Sequence, residues 1–182
     1  KIIKANVREP DQLIGDLFAL AACNEIGIRR LISMMKEFKL RNLNSISNFI
    51  LKHSYQATIK KIQKLPEKKA TGSMTIDGYN HKVNLKVCVK IAKKEILCDF
   101  TGTSSIDENG INVPLVYTKA YACYALKCAI APDIPNNAAS LAPFEITAPE
   151  NSIVHALHPA PVALRHVIGH FVPDTVYDAL DK

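Results

Sequence analysis

Three side chains of the kinds that bind metal ions or move protons recur four apart near the end of this chain: His166, His170 and Asp174. On a continuous helix that spacing puts them on one face. Two imidazoles and a carboxylate form a ligand set for zinc, manganese or iron. Pro173 interrupts the run, so surface or hydrogen-bonded histidines are the competing reading. Arg165 and His166 follow the stiff stretch Pro159 to Leu164. That segment can aim the pair into a cleft; the other reading buries Arg165 against Asp99 or Asp133. Asp99 is expected at a strand end, where a carboxylate acts as a base or ligand or accepts N–H bonds from the next loop. Asn112 and the pair Asn136-Asn137 are amides in expected turns, able to bond a carbonyl or carboxylate ligand or simply the turn itself. The catalytic candidates are thus Asp99, Asn112, Arg165 and His166, and the metal candidates are His166, His170 and Asp174. No P-loop, GxGxxG, GxSxG or HExxH pattern is present, so no nucleotide site of the chain's own and no recognisable nucleophile is read.

The elements that must position these residues follow from hydrophobic periodicity. A helix is expected from Asp11, as its cap, to about Phe38, with Leu13, Leu17, Leu20, Ile28, Leu31, Ile32 and Met35 forming one stripe. A second is expected from about Leu43 to Leu65, stopped by Pro66, and the two pair as a hairpin. Lys64 to Thr71 reads as a charged linker. From Ser73 the period becomes two: Val83, Leu85, Val87, Val89 and Ile91 alternate with Lys82, Asn84, Lys86, Cys88 and Lys90. Ile96, Cys98 and Phe100 continue an antiparallel meander. Pro114 to Ala131 has so few charges that it reads as a helix buried nearly all round. Short strands are expected at Phe144–Thr147 and Ser152–Ala156, a separate turn at His166 to His170, and a last helix including Val172 to Leu180. The fold class is α+β: a helical hairpin over 1–70, then an antiparallel β-meander packed on a buried helix over 71–182, both parts of one larger fold.

The formal charge is +6, but Lys and Arg are scattered and Lys60, Lys61, Lys64, Lys68 and Lys69 read as a solvated helix face, not a nucleic-acid site. The five cysteines include no CxxC and fall in apolar segments, which suits reduced core thiols in the cytoplasm. No apolar run reaches membrane-spanning length.

Several strings carry more than periodicity. Asn6-Val7-Arg8-Glu9-Pro10 leads into Gly15-Asp16-Leu17 and Ala21-Ala22-Cys23-Asn24. Asp99-Phe100-Thr101-Gly102-Thr103-Ser104, Ile111-Asn112-Val113-Pro114-Leu115 and Pro132-Asp133-Ile134-Pro135-Asn136-Asn137 follow in order. So do Ala148-Pro149-Glu150 and Arg165-His166. Together they resemble the hydantoinase B family, which includes N-methylhydantoinase B subunits, the C-terminal half of 5-oxoprolinases and the acetone carboxylase alpha subunit.

The resemblance implies a division of labour. A hydantoinase A-type partner would bind ATP and phosphorylate the carbonyl oxygen of a cyclic amide such as hydantoin, N-methylhydantoin or 5-oxoproline. The B-type component would then complete ring opening within a hetero-oligomer. An acetone carboxylase alpha-like role is one alternative, and a non-catalytic relic or interaction domain is another. Any divalent metal would belong to the longer family protein, whose His/Asp-rich N-terminal region has no counterpart here. The chain therefore reads as a central fragment. It also departs from the family pattern: Asn109-Gly110 replaces Gly-Pro, Ala139 and Asn151 replace glycines, and Ala142 replaces an arginine. A lost glycine matters where the backbone needs positive φ, which Asn tolerates far better than Ala.

Overall fold

Pro10 has no N–H to donate and its ring presets a helical φ, so a helix begins on it. The computed structural model describes residues 1–182, as two compact units, Lys1–Asn48 and Phe49–Lys182. In the first, a short helix α1 (Ile2–Asn6) precedes α2 (Pro10–Glu37). Glu9 is the N-cap of α2, with no side-chain cap bond, and Asp11 lies inside the first turn instead of capping it. There its charge complements the positive end of the helix. The apolar stripe of α2 is present, but none of its residues is buried; Phe18, Leu20 and Ile28 are all exposed. Lys39 takes a left-handed φ of 53° just past the helix end.

Helix α3 (Asn44–Ile62) runs on from there, and from Phe49 onward it belongs to the second unit. The sheet of that unit has four strands in the order β1 (Lys68–Asp77), β2 (Lys82–Ile91), β3 (Ile96–Asp99), β4 (Phe144–Thr147). β1 already begins inside the stretch that reads as a linker, because Lys68 and Lys69 pair with Ile91 and Lys90 while their side chains stay in water. β1–β2 and β2–β3 are antiparallel, as the alternating pattern predicts. β4 instead lies parallel to β3, with Ile96 opposite Phe144 and Asp99 opposite Thr147. A parallel neighbour needs a crossover connection, and residues 100–143 supply it.

Val83, Leu85, Val87 and Val89 line one face of the sheet and are buried; Lys82, Asn84, Lys86 and Lys90 line the other and are exposed. The apolar face is covered by α4 (Leu115–Ile130) and by α7 (Phe171–Asp181). Between them lie two short helices, α5 (Ala138–Leu141) and α6 (His166–Gly169). Phe100, Leu126, Ile153 and Ile168 are fully buried in this core. Each such side chain contributes about 1.5–3 kcal/mol through burial. The outcome is an α+β fold. α4 is not buried all round: Val116, Lys119, Tyr124 and Cys128 face outward, because the sheet and α7 cover only its Thr118–Ala122–Ala125–Leu126 side. The segment Ser152–Ala156 is a turn closed by bonds from His155 N–H to the Ser152 carbonyl and from Asn151 N–H to the His155 carbonyl, with one isolated bridge from Ser152 to Ser105. It also bonds to distant backbone, from Ile153 N–H to the Ser104 carbonyl and with Val113, but the local turn bonds keep it from running on as a strand.

α7 lies directly on β1. Asp178 accepts the outward N–H of Ser73 at 2.9 Å, and Lys182 donates to Asp178 at 2.8 Å and to the Thr71 carbonyl at 3.2 Å. The Lys182 ammonium and the Ser73 N–H hold the Asp178 carboxyl below its ordinary range. The five cysteines are free; Cys23 and Cys128 are exposed, contrary to the all-core reading, and Cys98 is buried. Burial, reinforced by Cys123 and Cys88, pushes the Cys98 thiol up to about 12. It therefore stays protonated and unreactive in the fold.

Candidate functional site

The candidate site is built from the loop that leaves β3. Asp99 accepts the Thr101 N–H at 3.0 Å and the Thr101 hydroxyl at 2.7 Å on the same oxygen. This is a local turn bond of the Asx type, so the carboxylate positions the loop. Gly102 follows at φ 94°, a left-handed conformation open to glycine. A Cβ there would also press on the Lys86 stem at 3.1 Å. Beyond it the two hydroxyls of the Thr103-Ser104 pair extend the β2 ladder where β3 has stopped. Thr103 Oγ1 accepts from Lys86 N–H and donates to the Lys86 carbonyl, both at 3.0 Å, and Ser104 Oγ accepts from Asn84 N–H at 2.9 Å.

Asn112 is fully buried, and its amide is spent on backbone. Oδ1 accepts the Asp107 N–H at 2.7 Å; Nδ2 donates to the carbonyls of Asp107 (2.7 Å), Pro161 (2.9 Å) and Asn109 (3.0 Å). One side chain thereby fixes the turn before α4 and ties it to the proline-rich segment leading to Arg165. Thr118 adds a bond from inside α4 to the Val154 carbonyl at 2.7 Å.

The far end of α4 is fixed in the same manner. Lys127 is buried, and its ammonium donates to the carbonyls of Ala131 and Ile134, closing the C-terminal turn of the helix. Asn137 caps α5 by accepting from Ala139 and Ser140 N–H at 3.0 and 2.9 Å, with the Ser140 hydroxyl completing a capping box. Its Nδ2 donates to Ser54 of α3 at 2.8 Å, and Thr58 of α3 donates to the Ser140 carbonyl at 3.1 Å. Asp133 pairs with Lys61 at 2.9 Å, and this partner holds its carboxyl below the ordinary range. A lysine at the last turn of an apolar helix, just before Pro132, is the sequence signal for the Lys127 cap. Lys127→Met is expected to leave the Ile134 carbonyl unpaired, while the Ala131 carbonyl keeps the Ile134 N–H, and to lower stability by about 1–3 kcal/mol, measured by urea unfolding.

Arg165 makes no ion pair with Asp99 or Asp133. It is exposed, and its side chain's one hydrogen bond is from Nη1 to the Val162 carbonyl at 3.4 Å. His166 and His170 are exposed as well, with ring centroids 6.0 Å apart, and His170 lies 5.9 Å from Tyr121. Tyr121 stacks on Tyr117 at 4.5 Å, and the Tyr117 ring fills the space over Gly169, where an added Cβ would meet it at 2.3 Å. The Tyr121 hydroxyl beside it, with burial, raises the Tyr117 hydroxyl above its ordinary value, while the Arg165 charge opposes this. The stack is absent from the sequence reading, although Tyr117 and Tyr121 stand four apart on an expected helix. Nowhere does the chain place three or more His, Cys, Asp or Glu side chains so that they could hold a metal ion. His166, His170 and Asp174 thus form no three-ligand cluster: they fall on two helices, α6 and α7, meeting at His170.

Along the outer side of α4 runs a cavity of about 700 Å³, lined among others by Val116, Lys119, Tyr124, Asn136 and Leu141. Two of the departures from the family pattern, Asn151 and Ala139, cost little here. Asn151 sits at φ 59°, which asparagine tolerates, and Ala139 lies inside α5, where alanine is favoured over glycine.

The sequence model of the hydantoinase B/oxoprolinase family matches residues 1–182. A protein of Pseudomonas sp. (strain NS671), provisionally named as the B component of a D-/L-hydantoinase, is 29% identical over 98% of this chain and 33% of its own length. 5-Oxoprolinase 1 of Arabidopsis thaliana is 27% identical over 91% of this chain and 14% of its own length. The crystal structure of an ATP-dependent caprolactamase from Pseudomonas jessenii shares the fold, with a TM-score of 0.77 over 96% of this chain and 30% of that one, at 17% identity. The chain thus spans a third or less of the length of these relatives. The match along the whole chain, residues 1–182, establishes that the chain belongs to the hydantoinase B/oxoprolinase family.

Proposed function

We infer that this chain is a segment of the B-type component of an ATP-dependent cyclic-amide hydrolase, working with an A-type subunit that handles ATP. The observation that carries the reading is the family match over residues 1–182. The names of the relatives, a hydantoinase component, a 5-oxoprolinase and a caprolactamase, support ring opening of a cyclic amide as the reaction class. Amide resonance protects the C–N bond. Phosphorylation of the carbonyl oxygen would remove that protection, after which water opens the ring, a proton goes to the leaving nitrogen and phosphate is released.

Within that scheme the residues divide into two groups. Asp99 and Asn112 act by holding turns, since the bonds found for them are internal. Arg165 and His166 have polar atoms free toward solvent, beside the Tyr117–Tyr121 stack. A guanidinium suits a phosphate or carboxylate, and an imidazole suits proton transfer to nitrogen. The divalent metal that the family implies does not fit the His166, His170 and Asp174 set, so no step is routed through it. The test combines the chain with an A-type subunit, ATP and N-methylhydantoin or 5-oxoproline. ADP and ring-opened product are expected to form in equal amounts only when the chain is present, with Arg165→Met strongly reduced. ATP hydrolysis that never couples to ring opening rules the reading out.

A further inference from the structure

Asp107 has a side chain only 1% exposed, and its Oδ2 is buried without a hydrogen-bond partner. Everything else about the residue is fixed. Asn112 bonds both its N–H and its carbonyl, and Asn109 donates to Oδ1 from its backbone N–H and from its side chain, each at 2.7 Å. A rigid buried carboxylate with one bare oxygen is costly unless a cation neutralises it. The atom facing Oδ2 is Nε2 of His81, 3.5 Å away, on a side chain 59% exposed at the tip of the β1–β2 hairpin.

The distance is too long for a direct hydrogen bond and leaves two arrangements, an ion pair with a protonated His81 or a cation held between the two groups. A direct N–H···O bond spans about 2.7–3.2 Å. A zinc-type ion with bonds of about 2.0–2.2 Å and a tetrahedral angle holds its two ligand atoms roughly 3.4 Å apart. The observed 3.5 Å fits such a bridge as well as it fits the ion pair. The charged neighbours Asp77 and Lys82 on the hairpin, Glu108 in the loop and Arg165 beyond Pro161 form no ion pair with either residue. Imidazole with carboxylate is a donor pair for zinc and its first-row relatives, whereas magnesium and calcium select oxygen alone.

We propose that Asp107 Oδ2 and His81 Nε2 form a two-ligand site for a zinc-type divalent ion, joining the β1–β2 hairpin tip to the turn before α4, with water in the remaining positions. The site is separate from Arg165 and His166 and does not rest on the hydrolase reading. The test titrates ZnCl2 into the chain carrying Cys23→Ser and Cys128→Ser, which removes the two exposed thiols. Amide and imidazole NMR signals are followed. Saturable shifts are expected at His81 and over 106–112, absent with MgCl2, and about tenfold or more weaker in His81→Gln. Asp107→Asn is expected to lose the same shifts; should it fail to fold, His81→Gln, altered only at an exposed tip, decides. Shifts confined to His166 and His170, no saturable shift at all, or unchanged affinity in His81→Gln overturns the proposal.

Discussion

Gly72→Ala is expected to be among the most damaging single substitutions in the chain, lowering stability by about 3 kcal/mol or more. Gly72 lies in β1 under α7. A Cβ there would stand 2.2 Å from the Thr175 carbonyl oxygen and 2.6 Å from the Ala179 N. Both are backbone atoms of a helix, so no side chain can rotate away. α7 must lift off β1, which uncovers Val172, Val176 and Ala179 and breaks the bond from Ser73 to Asp178. Urea unfolding of the variant is the measurement. A midpoint close to that of the parent means that α7 does not rest on β1 as described. Gly15, with nothing near its Cβ position, is the control: in Gly15→Ala a helical residue loses only flexibility, and stability is expected to hold or rise.

Asn112→Ala is the second. It leaves the Asp107 N–H and the carbonyls of Asp107 and Pro161 unpaired, and the Asn109 carbonyl with only the Ile111 N–H, at a position with no exposure. Each buried unpaired group costs about 1–3 kcal/mol, partly relieved by relaxation, so a loss of about 3–5 kcal/mol is expected. Hydrogen exchange should speed up first at residues 107–113 and near Pro161, because one amide serves both segments. Asn136→Ala provides the contrast. Asn136 is exposed and stays within about 0.5 kcal/mol of the parent in the same measurement. If Asn112→Ala behaves like Asn136→Ala, the amide is not the staple that its bonds describe.

The sequence is most legible where one element's own pattern decides its fate. The alternation from Lys82 to Ile91 gives β2 and its buried face directly, and Pro173 in the first turn of α7 explains the break between α6 and α7. What is not legible depends on partners far along the chain. The parallel placement of β4 beside β3 cannot be read from four residues, Phe144 to Thr147. The open side of α4 depends on how far the sheet reaches, which its low charge does not reveal. In the candidate site, Asp99 and Asn112 carry two readings in the sequence, and the bonds they make favour the turn reading. Asp107 gives no signal of its own, because a carboxylate in a polar loop looks solvated until Asn112 draws it inside.

The pairing of β3 with β4 also bears on the order in which the second unit folds. β1, β2 and β3 are linked by short turns and can zip up from neighbouring residues. β4 can dock only after residues 100–143 have passed over the sheet, so its contacts carry a far larger loop-closure entropy. The meander is therefore expected to form ahead of the β3–β4 ladder. Substitutions inside the meander should slow folding, while those that loosen β4 should chiefly speed unfolding.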